Sequence, residues 1–126
     1  MSDIYREQML DHFENPRHYG TLEAADASHE DCNPLCGDCI HMDVKLSDDG
    51  QTLASAAFNG QGCIVSQAAA SMLLEDVIGD KIADLKELAP EYLLKLIGAP
   101  LTPARVKCAL LSLKVLKSAL HTANQS

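Results

Sequence analysis

The sequence predicts one domain that combines helices with a pair of antiparallel strands. Helical spacing of apolar residues at both ends of the chain, and alternation with a period of two in the middle, predict these elements. The 126 residues match the usual size of a unit with a single core. Apolar residues make up 47% of the chain, but there are two Phe and no Trp, so we expect an aliphatic core.

The first predicted helix starts at Asp3, a residue type that caps helices, and ends before Pro16. Residues 20–40 carry few regular signals. We therefore expect an irregular stretch there, which presents Cys36 and Asp38 on a turn.

A β-hairpin is predicted next. Polar and apolar residues alternate over 41–47, and small and apolar residues over 52–58 form the second strand. The residues between them end in Gly50, which favours a tight turn. Two antiparallel strands should therefore form the sheet.

Four helices are predicted after the hairpin. The first covers residues 63–78 and places Cys63 in its first turn. The last begins at Pro103, is capped by Thr102, and carries Cys108 one and a half turns in. Shorter helices are expected over 82–89 and 91–97. The buried stripe of the last helix is predicted to be Val106, Leu110, Leu113, Leu116 or Lys117, and Leu120.

Charge and hydropathy restrict the partners. No apolar run approaches the ~18–20 residues that cross a bilayer, and the first residues lack the order of a signal peptide, so we expect a cytoplasmic protein without a membrane partner. The net charge of −8 argues against nucleic acid. All 18 acidic residues precede position 92. The basic remainder is either a solvated helix face or a docking face for an acidic partner.

Five cysteines is an odd number, and reducing compartments disfavour disulfides. We therefore expect metal ligation or redox chemistry rather than a structural disulfide. Three motifs supply three thiolates and a carboxylate: Cys36-Gly37-Asp38, Gly60-Gln61-Gly62-Cys63 and Arg105-Val106-Lys107-Cys108. Soft thiolates select zinc and iron–sulfur clusters over hard cations, so Cys36, Asp38, Cys63 and Cys108 are the expected ligands of one such group.

The neighbours of these ligands suggest how they work. A helix start favours the thiolate of Cys63, and Arg105 and Lys107 can stabilise a thiolate or persulfide at Cys108. Asp38 is a harder ligand than a thiolate, so a metal should bind it less persistently. One coordination position could then open, as a carrier needs.

Two other interpretations stay open. Cys32, Cys36, Cys39 and His41 could form a local zinc knuckle, although no second half of matching spacing exists. Alternatively, the domain could be an interaction module that needs zinc to fold, in which case chelation should unfold it. Cys32 and Cys39 could also be spare thiols, oxidation-sensitive neighbours or resolving cysteines.

At these residues the chain resembles the U-type iron–sulfur cluster assembly proteins, the family of IscU, SufU and the N-terminal domain of NifU. Asn15-Pro16-Arg17-His18-Tyr19-Gly20 is similar to the amino-terminal signature of that family, and the three cysteine motifs follow in order. The resemblance implies an α+β fold of the NifU N-terminal/SufE-like type, with a small antiparallel sheet and helices packed on one side. It also implies a site at one edge, formed by Cys36, Asp38, Cys63 and Cys108.

The subtype is mixed. The residues before Cys108 are similar to SufU, because Lys107 stands where IscU-like proteins have His, and the chaperone-binding stretch of IscU is absent. However, Cys63 and Cys108 are 45 positions apart, without the extra segment usual in SufU-like proteins. The spacing therefore resembles IscU.

The resemblance implies two mechanisms. In a SufU-like protein, zinc is bound by the four ligands, and Cys36 is released to accept persulfide sulfur from a cysteine desulfurase and pass it to the SUF scaffold. In an IscU-like protein, the same residues assemble a [2Fe–2S] cluster for apo-proteins, and Cys108 accepts the sulfur. Lys107 favours sulfur transfer, since a protonated lysine is a poor ligand. Either way we expect a carrier or assembly protein, monomeric or weakly dimeric, without independent turnover.

Overall fold

The computed structural model describes residues 3–34 and 37–123. Within these ranges it contains five helices and one antiparallel sheet of three strands in the order β1-β2-β3. The α+β prediction is therefore confirmed. The elements are α1 (Asp3–Glu14), β1 (Ala27–Cys32), β2 (Cys39–Leu46), β3 (Leu53–Gln61), α2 (Ile64–Val77), α3 (Ile82–Lys86), α4 (Pro90–Ile97) and α5 (Pro103–Ala123).

The predicted hairpin is confirmed as β2 and β3, and both strands extend further towards the site than predicted. Its turn is closed by the N–H of Ser47, which donates to the Thr52 carbonyl at 2.9 Å. Because side chains alternate along a strand, Ile40, Met42 and Val44 of β2 share one face, and all three are fully buried.

The third strand corrects the prediction of an irregular stretch over 20–40. β1 pairs with β2 along its whole length, from Ala27 opposite Val44 to Cys32 opposite Cys39. Its four central residues, Ser-His-Glu-Asp, are all polar, so no hydrophobic alternation marked it. An edge strand can be stabilised by backbone hydrogen bonds to its neighbour alone, and these depend little on side-chain type.

The helices cover one face of the sheet, as the resemblance implied. α2 and α5 pack against each other and against the sheet, and α1 packs on α2. Every residue from Val65 to Leu74 is buried, so α2 is the central helix of the core. None of the helices in the described part of the chain has the length and apolar character needed to span a bilayer.

α5 is buried over a wider face than the predicted stripe. Leu113, Leu116 and Leu120 are buried as predicted, whereas Val106 and Leu110 are half-buried. The buried face also includes Cys108, Ala109, Leu111, Ser112, Val115 and Ala119. The helix contacts β1 and β2 on one side and α2, α3 and α4 on others, which explains the wide face.

The segment between α1 and β1 crosses the other face of the sheet. Its Gly20 N–H donates to the Phe58 carbonyl of β3 at 2.7 Å, and its Leu22 N–H donates to the Asp43 carboxylate of β2 at 3.0 Å. Burial alone would raise the pKa of Asp43, but hydrogen bonds from Ser28, Leu22 and His41 outweigh it and lower that pKa. A buried carboxylate therefore anchors this crossing.

Candidate metal centre

Three of the four predicted ligands come together. Asp38 directly precedes β2, Cys63 directly precedes α2, and Cys108 lies in the second turn of α5. One ligand atom from each of these residues lies within 4.8 Å of the other two. Cys36, the fourth predicted ligand, lies outside the described residues. The site therefore forms where one strand and two helices begin.

Asp38 and Cys63 are joined by two hydrogen bonds. The backbone N–H of Cys63 donates to one carboxylate oxygen of Asp38 at 3.0 Å, and the Cys63 thiol donates to the other at 3.2 Å. Cys63 is the N-cap of α2, with extended backbone angles, rather than a residue of its first turn as predicted. The carboxylate thus faces the helix start, where the helix dipole favours negative charge.

The two glycines before Cys63 allow close backbone contacts, as expected. Gly62 has a φ of +139°, and a Cβ atom added there would lie 2.6 Å from Cγ of Asp38 and overlap its carboxylate. A Cβ atom at Gly60 would overlap the backbone carbonyl of Cys39. Because a side chain at either position would displace the neighbouring chain, both glycines shape the site.

Cys108 lies on the buried face of α5 and is 5% exposed. The predicted cap of this helix is confirmed, since the N–H of Arg105 donates to the Thr102 hydroxyl at 3.4 Å. Arg105 and Lys107 are both exposed. They line an open pocket of about 650 Å³ together with Asn33, Asp38, Gly62, Cys63, Pro103, Ala104 and Cys108.

The donor set fits a zinc ion or a small iron–sulfur cluster. Zinc binds thiolate sulfur at about 2.3 Å and carboxylate oxygen at about 2.1 Å, which places tetrahedral ligand atoms roughly 3.5 Å apart. The three ligand atoms found here are close enough to reach that geometry with small side-chain movements. Asp38 is 2% exposed and sits among thiols, an environment in which a cation would compensate its charge.

Cys32 and Cys39 form a disulfide, which contradicts the expectation that no structural disulfide is present. These residues face each other across β1 and β2. The neighbouring pair is hydrogen-bonded, since Asn33 N–H donates to the Asp38 carbonyl at 2.8 Å. The cysteines thus occupy a non-hydrogen-bonded position, where opposite side chains lie closest. No pattern in the sequence indicated this pairing, because β1 itself was not predicted.

The disulfide also argues against the local zinc knuckle. Two sulfur atoms bonded to each other cannot serve as thiolate ligands. His41, the fourth member of that group, has its Nε2 atom 2.8 Å from the Asp43 carboxylate. In the described structure, neither the two cysteines nor this histidine joins the cluster of Asp38, Cys63 and Cys108.

The predicted turn before β2 is present in the described part of residues 33–38. The N–H of Gly37 donates to the Asn33 carbonyl at 2.8 Å, and Gly37 has a φ of +76°. Asn33 also lines the pocket, a role that was not predicted from the sequence. Its position three residues before Cys36 was the one available signal. The turn brings Asp38 back towards β1.

The chain is similar to known proteins over nearly its whole length. The model of the family described as "NifU-like N terminal domain" matches residues 4–125. The zinc-dependent sulfurtransferase SufU of Bacillus subtilis is 35% identical, covering 93% of this chain and 89% of that protein. The iron–sulfur cluster assembly scaffold protein IscU of Thermotoga maritima is also 35% identical, covering 93% and 92%.

Solved structures share the fold. The structure of FiSufU from Fervidobacterium islandicum AW-1 superposes with a TM-score of 0.75 at 26% identity, covering 94% of this chain and 97% of that one. The N-terminal part of a NifU-like protein from Brucella abortus superposes with a TM-score of 0.76 at 20% identity, covering 98% and 96%. The second similarity concerns the fold alone.

Proposed function

Because this chain belongs to the NifU-like N-terminal domain family, we propose that it acts in iron–sulfur cluster assembly by accepting persulfide sulfur from a cysteine desulfurase and passing it on. The match confirms the resemblance seen in the cysteine motifs. One observation carries the proposal: Asp38, Cys63 and Cys108 converge on an open pocket that Arg105 and Lys107 also line.

The proposed ligands are Asp38, Cys63, Cys108 and, from the sequence, Cys36. A bound zinc ion would hold the thiols deprotonated, because thiolates rather than thiols ligate metals. Asp38 positions Cys63 through its two hydrogen bonds. As the one oxygen ligand, Asp38 is expected to dissociate from the metal most readily.

Sulfur transfer then needs one free thiolate. A site thiolate, Cys36 in this proposal, attacks the outer sulfur of the desulfurase persulfide. The sulfur–sulfur bond of that persulfide breaks, the desulfurase leaves as a thiolate, and the site cysteine carries the new persulfide. In this proposal Arg105 and Lys107 stabilise the persulfide anion; both are cations that line the pocket of Asp38, Cys63 and Cys108.

A second candidate is a scaffold that assembles a [2Fe–2S] cluster as its cargo. The open pocket of about 650 Å³ has room for such a cluster as well as for a zinc ion. The same four residues would hold the cluster, and Cys108 would accept the sulfur. The 45-residue spacing of Cys63 and Cys108 also resembles the scaffold proteins.

The proposed partners are a cysteine desulfurase and, downstream, a SUF scaffold or apo-proteins that receive clusters. We also propose a single domain over 1–126, monomeric or weakly dimeric, in the cytoplasm. The protein would act as a carrier whose turnover depends on the desulfurase. The basic segment after Glu91 offers a docking face for an acidic partner.

The test compares zinc-loaded and metal-free protein as anaerobic acceptors, with alanine production by a cysteine desulfurase as the readout. If the zinc form raises turnover and peptide mapping finds the persulfide on Cys36, the protein is a sulfur shuttle. If zinc suppresses acceptance and the metal-free protein builds a cluster when given iron, it is a scaffold. A protein that neither accepts sulfur nor builds a cluster would contradict both candidates.

A further inference from the structure

We propose that Cys32 and Cys39 form a redox-active pair that reduces a persulfide at the neighbouring site to sulfide. The inference rests on the proposed function, which supplies the persulfide. Sulfur arrives in a persulfide at the oxidation level of elemental sulfur, whereas iron–sulfur clusters contain sulfide. Two electrons per sulfur atom are therefore needed, and a dithiol that closes to a disulfide supplies two.

The pair lies beside the candidate ligands in the chain. Cys32 is the last residue of β1, and Cys39, the first of β2, directly follows the candidate ligand Asp38. The segment between the two cysteines contains Cys36, the other candidate ligand on this stretch. The Sγ atom of Cys39 lies 3.8 Å from the Gly37 carbonyl oxygen, within the same turn. The pair thus spans the base of the turn that leads into the site.

The pair is accessible and borders the site pocket. Cys32 is exposed and Cys39 is half-buried, so thiol exchange can reach them. Cys32 lines a groove of about 320 Å³ together with Lys107 and Lys114. Lys107 and Asn33 line both this groove and the site pocket, so the two cavities adjoin.

The lysines give the groove a positive character. Lys114 pairs with Asp31 at 2.9 Å, which offsets part of its charge. Lys107 lies next to Cys108 in sequence and reaches both cavities. Nearby cations favour thiolates, which are the attacking species in sulfur exchange. The groove therefore suits a reactive cysteine better than an inert one.

A purely stabilising role explains the disulfide less well. The two cysteines are seven positions apart, and cross-links between near neighbours constrain the unfolded chain least. Backbone hydrogen bonds between β1 and β2 already hold their strand ends together. In reducing compartments, moreover, the disulfides that do form are usually catalytic or redox-sensing.

The reaction balances in two steps. A thiolate of the pair first attacks the outer sulfur of the site persulfide, which releases the site thiolate and leaves the persulfide on the pair. The second thiol, as thiolate, then attacks the inner sulfur, which forms the Cys32–Cys39 disulfide and expels hydrosulfide. In sum, one persulfide and two thiols give one thiol, one disulfide and hydrogen sulfide. An external dithiol protein or a small thiol returns the pair to its reduced state.

The test starts from fully reduced full-length protein under anaerobic conditions. Wild type, Cys32→Ser, Cys39→Ser and the double variant are loaded with sulfur by an immobilised cysteine desulfurase and L-cysteine, then separated from both. Mass spectrometry follows the persulfide as a gain of one sulfur atom, and peptide mapping follows the disulfide. Sulfide is measured in parallel. Circular dichroism checks that each variant is folded, and the two single variants serve as independent tests.

We expect the wild type to lose its persulfide and release one sulfide for each Cys32–Cys39 disulfide formed. Each single variant should load as much persulfide as wild type. It should release sulfide about tenfold more slowly, because one thiol cannot close the disulfide. Equal sulfide release by wild type and the double variant would overturn the inference. So would persulfide loss in the wild type without the disulfide.

Failure of the proposed function gives a different result. If the desulfurase loads no variant, the proposed function is contradicted while the inference can still be tested. The same four proteins are then loaded with inorganic polysulfide, and the same comparison of sulfide and disulfide decides the inference. Equal sulfide release by wild type and double variant overturns it in this arm as well.

Discussion

The Asp38 carboxylate accepts hydrogen bonds from both the backbone N–H and the thiol of Cys63, at 3.0 and 3.2 Å. This contact links the start of β2 to the start of α2, which are 25 positions apart in the chain. It gives the carboxylate two roles, as a candidate ligand and as the group that positions a second ligand.

Replacing Asp38 with Ala should slow zinc release. The variant loses the one hard, weakly held ligand and keeps the thiolates, so we expect release to a coloured chelator to slow on the order of tenfold, or about 1.4 kcal/mol in the barrier. Asp48→Ala, at an exposed position in the hairpin turn, is the control. Release that is unchanged or faster would show that the carboxylate does not make the site labile.

Replacing Gly62 with Ala should weaken zinc binding. The new Cβ atom would overlap the Asp38 side chain and push the Cys63 backbone away from it. Unlike Asp38→Ala, this change displaces a thiolate ligand, so we expect affinity to fall by about 10- to 100-fold, as when a ligand loses its supporting contacts. Gly20→Ala is a matched control, because Gly20 has a similar φ of +130° and no atom within 4 Å of the added Cβ. Both variants should lose roughly 1–3 kcal/mol of stability from backbone strain.

Competition with a fluorescent zinc indicator measures the affinities, and urea unfolding measures the stabilities. The two variants should differ in zinc affinity, and Gly62→Ala should lose at least as much stability as Gly20→Ala, because only its Cβ atom overlaps another residue. Equal zinc affinity would mean that the contact between Gly62 and Asp38 has no bearing on the metal.

Removing the two cations of the pocket should slow sulfur acceptance. The double variant Arg105→Gln/Lys107→Gln loses positive charge near the site, so we expect persulfide formation to slow about tenfold at low salt and less at high salt. The control is Lys86→Gln/Lys117→Gln, which has the same net charge but changes a different groove. Equal rates for both double variants would assign the effect to net charge alone. Zinc content, measured in parallel, should stay constant.

Stability should fall as the pH drops below the ordinary pKa of histidine. His12 is 4% exposed, and its Nδ1 atom lies 2.7 Å from the Ser71 hydroxyl, between α1 and α2. Burial, followed by the charge of Arg17, lowers the pKa of His12. The unfolded chain therefore binds this proton at a higher pH than the folded protein. The free energy that neutral His12 contributes to stability is fully present above about pH 7. It is lost as the pH falls through about 6.5 and lower.

His12→Gln cannot titrate, so its free energy of unfolding should depend less steeply on pH between about pH 5 and 7 than that of wild type. Urea unfolding at several pH values measures the slopes. His18→Asn is the control, because His18 is exposed and has a φ of +61°, which Asn tolerates. A His12→Gln slope equal to that of wild type would show that this histidine is not linked to folding.

Chelation should leave the secondary structure intact. The helices and the sheet share an aliphatic core with fully buried residues such as Leu73, Leu93 and Leu116, which lie away from the ligands in sequence. We expect the far-ultraviolet circular dichroism signal to change by less than about a tenth, because hydrophobic burial dominates folding. Hydrogen exchange should rise mainly around Asp38 and Cys63. Loss of the helical signal would instead support an interaction module folded by zinc.

The sequence predicted much of the local structure. Periodicity and capping residues located all five helices, and the Asp-Asp-Gly turn located the hairpin, because these signals depend on neighbours within one or two turns of chain. The residue types at 36, 38, 63 and 108 predicted the ligand chemistry in the same way. Three of these positions proved to be close in space, and the fourth lies outside the described residues.

Other features were decided by tertiary structure. β1 has four polar central residues and is a strand because β2 supplies its hydrogen bonds. Only that pairing places Cys32 opposite Cys39, so neither the disulfide nor its position beside the site could be inferred without it. The same holds for the contact of Gly62 with Asp38. The sequence by itself determined which helices form and which ligands are available, since these depend on local preference and side-chain chemistry. Contacts between distant segments were decided by how the sheet and helices pack, because no local preference encodes them.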